Sequence, residues 1–182
     1  RRDVGFLPEA PYFYEYLSAR ETLAFYAGLS GVPDDQIAGR ADSVLERVGL
    51  SHAADRAVKT YSRGMRQRLG IAQAIVHEPK LVILDEPMSG LDPIGRRDVR
   101  LLILDLARAG TTVFFSSHIL SDVEVLCDQV GVVSGGKLVA SGPVKDLAVP
   151  RVKAVEVRCR GISAGVLKSK IEAGIEIRDN AG

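Results

Sequence analysis

Leu81-Val82-Ile83-Leu84-Asp85-Glu86-Pro87-Met88-Ser89-Gly90-Leu91-Asp92 sets four apolar residues directly against two adjacent carboxylates, with a proline, a glycine and a third carboxylate close behind. The apolar part is too short and too β-branched for a helix and reads as a buried strand of a parallel sheet. Ligands of open α/β sheets bind just beyond the carboxyl ends of the strands. Asp85 and Glu86 therefore stand where such folds do their chemistry. An acidic pair after a strand is also what a plain polar turn looks like, so the surrounding chain has to decide.

Outward from this stretch the pattern alternates. Val4-Gly5-Phe6-Leu7 is a short strand stopped by Pro8. Ser18 and Glu21 form a capping box for a helix from Ala19 to about Leu29. Pro33-Asp34-Asp35 starts a second helix, which runs to Val48 and stops at Gly49. Leu50 to Tyr61 reads as an irregular connector. Ser62 caps a helix from Arg63 to His77 whose inward face carries Met65, Leu69, Ala72, Ile75 and Val76. Asp92-Pro93 opens another helix, to about Ala109. Thr111 to Ser116 is a second fully apolar strand and ends in Ser117-His118. A helix from Ile119 to Cys127 and a hairpin around Gly135-Gly136 follow, then a short helix to about Val149. Strand, helix, strand, helix from Leu81 to Cys127 is the order of a parallel sheet with crossover helices, an α/β fold. Pro150 marks a change of composition. Residues 150–182 are expected to begin an appended domain.

Composition narrows the classes. Of 182 residues, 46% are hydrophobic and 26% charged, as in ordinary globular domains. A net charge of +1 gives no bulk attraction for nucleic acid, and none is expected as a partner. Cys127 and Cys159 lack metal-like spacing and read as small apolar residues in a reducing compartment. No apolar run is long enough to span a bilayer. The chain opens Arg1-Arg2-Asp3 without a methionine and is expected to begin inside a longer protein.

Three groups of residues suggest chemistry. If the two apolar strands are neighbours, Asp85, Glu86 and His118 converge on one pocket. Asp85 suits a hard cation such as Mg²⁺, which prefers oxygen ligands and keeps several waters. Glu86 can orient and deprotonate a water, and His118 can hold a phosphate oxygen. Tyr61-Ser62-Arg63-Gly64-Met65 joins a serine cap, a glycine and a helix N-terminus, an anion site by its free N–H groups and dipole. A capped helix with a solvated arginine face has the same sequence.

In order and spacing these groups resemble the nucleotide-binding domain of the ATP-binding cassette family, from Val4 to about Val149. Leu81 to Glu86 resembles the family's Walker B strand, with Asp85 in the magnesium position and Glu86 as catalytic carboxylate. Ser89-Gly90-Leu91-Asp92 matches its D-loop, which lies against a partner subunit. His118 falls on the switch histidine and Tyr61 to Met65 on the signature sequence. Glu9 falls on the glutamine loop. The resemblance implies a P-loop NTPase-like, mostly parallel sheet over residues 1–149, with an inserted helical subdomain at about 11–76. It implies an ATPase using ATP and Mg²⁺, with Asp85 and Glu9 as metal ligands and Glu86 and His118 as catalytic residues. Ser62, Arg63, Gly64, Met65, Asp92 and Glu9 would contact nucleotide.

Departures from the pattern carry information. Arg63 stands where the family has glycine and Met65 where it has glutamine. Glu9 replaces a glutamine, although a carboxylate still suits Mg²⁺. These variants resemble a branch that exports drugs, lipids or polysaccharides. The phosphate-binding pattern Gly-x-x-x-x-Gly-Lys-[Ser/Thr] is absent from the chain. It is expected on a strand and helix preceding Val4. By itself the chain is therefore expected to be inactive and to leave apolar sheet surface uncovered.

Six of the ten Phe and Tyr residues lie between Tyr12 and Tyr26. Phe25 reads as core. Tyr12, Phe13, Tyr14 and Tyr16 are too close together for one face to bury, and an exposed aromatic cluster is a partner anchor. The resemblance implies that Tyr12–Tyr16 grips a transmembrane permease subunit, that two nucleotide-binding subunits pair, and that the protein sits on the cytoplasmic face of the membrane. Two rival readings stay open: a soluble superfamily ATPase without a transport role, and a degenerate module that only docks. The sequence upstream of Arg1 separates the last from an ATPase.

Overall fold

A computed structural model describes residues 3–147. The appended domain expected at 150–182 lies outside the described residues, as does Cys159. Strands β1 (Val4–Leu7), β2 (Leu81–Leu84) and β3 (Thr112–Phe115) form a parallel sheet in the order β1-β2-β3. The two apolar strands of the sequence are thus neighbours, with Leu84 opposite Leu7 on one side and Phe115 on the other.

Both crossovers advance across the sheet in the same direction. Right-handed connections then put both sets of helices on one face. That face carries Gly5, Leu7, Val82 and Leu84, all buried, together with half-buried Val113 and Phe115. The residues between them, Val4, Phe6 and Phe114, point the other way and are exposed. An uncovered apolar surface was expected, and it is this face. The reading of Thr111 to Ser116 as a strand apolar on both sides holds, but one side is open: Phe114 is 65% exposed.

The helices follow their caps. Helix α1 (Ala19–Leu29) starts with the capping box, Ser18 N–H donating to Glu21 Oε2 at 2.8 Å and Glu21 N–H to Ser18 Oγ at 3.2 Å. The Ser18 N–H and the Ser18 hydroxyl, both donating to Glu21 Oε2, hold that carboxyl below its usual range. Helix α2 (Asp34–Arg47) begins after Pro33, and Gly49 follows it at φ +67. Leu50 to Tyr61 is more regular than expected, with single 3₁₀ turns at Ser51–Ala53 and Val58–Thr60. Tyr61 is buried there, and its hydroxyl donates to the Ala53 carbonyl at 2.7 Å. Helix α3 (Arg63–Ile75) carries the Ser62 cap and ends two residues before His77. It packs on α1, α2 and β1.

Helix α4 (Pro93–Arg108) is capped by Asp92, and α5 (Leu120–Leu126) precedes a hairpin of β4 (Gln129–Ser134) and β5 (Lys137–Pro143). Gly135 and Gly136 make its turn at positive φ, as the sequence indicated. Helix α6 (Val144–Leu147) closes the described chain. Burial pushes the Cys127 thiol up, which fits its reading as a small apolar residue.

One expectation fails. Phe25 is 44% exposed, not core. The buried stripe of α1 is Ala19, Thr22, Leu23 and Ala27. The helical period sets Phe25 about 200° from Leu23, off that stripe. Phe25 instead meets Tyr14 edge to face, with ring centroids 5.9 Å apart.

Candidate functional site

All three sheet strands run the same way, so their carboxyl ends meet at one edge. Beyond β2 come Asp85 and Glu86. Beyond β3 come Ser116, Ser117 and His118. Glu9 lies two residues past β1, exposed. The register makes the first two groups touch. Ser116 Oγ accepts the Glu86 N–H at 2.8 Å and donates to Asp85 Oδ1 at 2.7 Å. His118 Nδ1 lies 2.9 Å from Glu86 Oε1. The structure thus brings Asp85, Glu86 and His118 into one cluster, with Ser116 as its hub.

Ser116 was not singled out from the sequence, where it is only the last residue of a strand. Its role needs the β2–β3 register, which one strand alone does not reveal. Glu86 also has φ +44, a conformation costing about 1–2 kcal/mol for a side chain with a Cβ. Ser116 helps to hold it there, with the Ser89 N–H bond to the Glu86 carbonyl at 3.0 Å. Ser116→Ala should therefore lose about 1–2 kcal/mol of stability in urea unfolding, because the Glu86 N–H is left without an acceptor. Ser116→Thr keeps the hydroxyl and should lose less. Equal losses would remove the hydroxyl bridge from the explanation.

Among the described residues no three His, Cys, Asp or Glu side chains come close enough to enclose a metal ion. Asp85 is exposed, and its second oxygen takes no hydrogen bond from the described residues. The donor set fits a cation that takes one carboxylate and completes its shell with water and phosphate oxygens. That is the habit of Mg²⁺.

Ser62–Met65 sits elsewhere. Ser62 Oγ accepts the Met65 N–H at 3.2 Å. The N–H groups of Arg63 and Gly64 keep no acceptor among the described residues. No hydrogen bond joins this turn to the carboxylate–histidine cluster among those residues. It lies instead against the loop after β2. The Arg63 guanidinium covers Gly90, which has φ +64, so any side chain there would displace it. Gly64 is different. A Cβ on it would meet nothing nearer than Leu91 Cδ2 at 4.0 Å. The chain's own packing does not demand glycine at 64. Asp92 spends one oxygen on its helix cap, accepting the Gly95 N–H at 2.6 Å.

The aromatic segment forms a second surface. Phe13 is buried, while Tyr12 is 80% and Tyr16 74% exposed. Tyr14 links them, its ring 6.4 Å from Tyr12 and 6.0 Å from Tyr16.

Comparison with known proteins agrees with this geometry. The family model described as ABC transporter matches residues 1–89. The chain is 48% identical over 149 residues to an uncharacterized ABC transporter ATP-binding protein of Nostoc sp., covering 81% of this chain and 44% of that protein. It is 47% identical over 147 residues to the bacitracin transport ATP-binding protein BcrA of Bacillus licheniformis, covering 80% and 47%. The solved structure of cbiO1 from Clostridium perfringens, part of the ABC transporter complex cbiONQ, superposes with a TM-score of 0.72 at 31% identity, covering 82% and 61%. The chain thus spans less than half the length of these two curated relatives. With a parallel sheet of the P-loop NTPase kind and this likeness in sequence and structure, the chain belongs to the ATP-binding proteins of the ABC transporter family.

Proposed function

We propose that this chain is the nucleotide-binding part of a subunit that hydrolyses ATP to drive a membrane exporter. The carrying observation is the cluster at the strand ends, with Glu86 fixed between Ser116 and His118 and Asp85 beside it. Asp85 and Glu9 would be the ligands of Mg²⁺ that this chain supplies. Mg²⁺, when bound, supplies charge neutralisation at the phosphates. Glu86 would orient a water and take its proton, and His118, 2.9 Å from that carboxylate, would hold a phosphate oxygen. Such catalysis is mostly positioning and electrostatics, and a cluster already fixed by hydrogen bonds suits it.

The free N–H groups at Arg63 and Gly64, with Ser62 and Met65, do not touch this chain's own carboxylates. We assign them to the nucleotide of a second such subunit, with Asp92 at that junction. A glycine without an internal reason at 64 supports close approach from outside. The export direction rests on Arg63, Met65 and Glu9. No described helix is long and apolar enough to cross a membrane, and we assign the protein to the cytoplasmic face, on a permease subunit. Tyr12, Tyr14, Tyr16 and Phe25 are the docking surface, because exposed, mutually touching aromatic rings are rarely left bare.

The test uses the full-length protein with vesicles that hold its membrane subunit. It should hydrolyse ATP only with Mg²⁺ present. Tyr12→Ala with Tyr14→Ala should weaken recruitment to the vesicles by about thirtyfold, the effect of losing about 2 kcal/mol at an interface. Turnover that survives chelation of Mg²⁺ would overturn the Asp85 assignment. Undiminished recruitment of the double variant would remove the tyrosines from the docking surface.

A further inference from the structure

Asp122 is the one charged side chain that is buried among the described residues, at 1% exposure. Neither of its oxygens has a hydrogen-bond partner there. Its only counter-charges among the described residues are two arginines one turn apart on α4: Arg96 Nη1 at 4.0 Å from Oδ2 and Arg100 Nη1 at 3.6 Å from Oδ1. A buried carboxylate without close partners is costly, and fixing one arrangement of the chain is a use that can offset the cost.

The element it belongs to explains what is fixed. Helix α5 has seven residues, too few to be stable by itself. No side chain caps its N-terminus, and Asp122 is its only buried residue. Leu120 and Val125 point outward. Helix α5 is therefore held to α4 largely through one carboxylate, with Leu126 packing at its far end. His118 precedes α5 by two residues and reaches Glu86 from that position. On its other side α4 begins at the Asp92 cap, directly after Ser89-Gly90-Leu91.

We propose that Asp122 is a positioning residue. Its attraction to Arg96 and Arg100 sets where α5 lies, and thereby keeps His118 against Glu86. The loop before α4 and the histidine before α5 are then tied through one buried charge. The catalytic consequence rests on the hydrolytic reading of Glu86 and His118. The geometric consequence does not.

The chain has three histidines, His52, His77 and His118, so imidazole nitrogen NMR reads His118 directly. Asp122→Asn keeps the volume and removes the charge. It should shift the His118 Nδ1 resonance towards that of a solvent-exposed ring and leave His77, which is bonded to the Val4 carbonyl, in place. In the full-length protein the same change should lower ATP kcat about tenfold with KM within about twofold. It should cost nothing further in a His118→Ala background. An unmoved His118 resonance, or His77 and His118 moving alike, would overturn the proposal, the latter by showing general destabilisation. Additive losses in the double variant would also overturn it. If the parent protein turns over no ATP, the hydrolytic reading fails and the spectra still decide the positioning.

Discussion

Glu86→Gln in the full-length protein should bind ATP normally and turn it over at least 10²-fold more slowly, a rise of about 2.7 kcal/mol in the barrier. The substitution is selective because of how the site is built. The bonds that fix residue 86 in its positive-φ conformation are made by its backbone, N–H to Ser116 and carbonyl to the Ser89 N–H. Neither changes. The amide oxygen of glutamine can still accept from His118 Nδ1, which lies 2.9 Å from the oxygen it replaces. Shape and contacts persist, and only the capacity to take a proton is lost. The expected signature is a fall in kcat with ATP affinity held, measured by steady-state turnover beside equilibrium nucleotide binding. Equal losses of both would make Glu86 a binding group. Undiminished turnover would move the base elsewhere. A useful control is Glu86→Gly, which relieves the backbone strain at φ +44 and should raise stability slightly while abolishing turnover.

What the sequence displayed and what it hid divide along one physical line. Caps are local: Ser18 with Glu21, Ser62 and Asp92 each bond to a group three residues away, so each was legible from spacing. The β2 strand was legible because four apolar residues and two carboxylates change polarity abruptly. Ser116 and Asp122 were not. The Ser116 hydroxyl serves residues about thirty positions earlier, and nothing near Ser116 announces that. Asp122 sits in Leu120-Ser121-Asp122-Val123-Glu124, where its charge looks as solvated as that of Glu124, which is exposed. Only the approach of α4 makes it interior. Phe25 is a different case. The helical period excludes it from the buried stripe of Ala19, Leu23 and Ala27, although its aromatic ring by itself suggests core.

The same contrast between local and long-range constraint predicts the largest loss of stability, at Gly5. This residue is the second of β1, in register with Val82. A Cβ added there would overlap the carbonyl oxygen of Ala74, in the last turn of α3, and would stand 2.9 Å from its carbon and 3.2 Å from Pro79 Cγ. Backbone cannot move aside as a side-chain tip can. Either β1 must leave the helix or the end of α3 must unwind, and both lie under the buried face that carries Leu7 and Val82. Gly5→Ala should cost about 3 kcal/mol or more, at the upper end of overpacking. Gly39 is the comparison. It lies exposed in α2 with nothing within 4 Å of its Cβ position, so Gly39→Ala should stabilise by up to about 1 kcal/mol through helix propensity. Urea unfolding of both variants reads the difference. The sign should reverse between two identical substitutions, because one glycine is there for a neighbour's backbone and the other is not. A loss at Gly5 below about 0.5 kcal/mol would mean that β1 and α3 are not in the contact described, and would detach Glu9 and the tyrosine segment from the sheet edge that positions them.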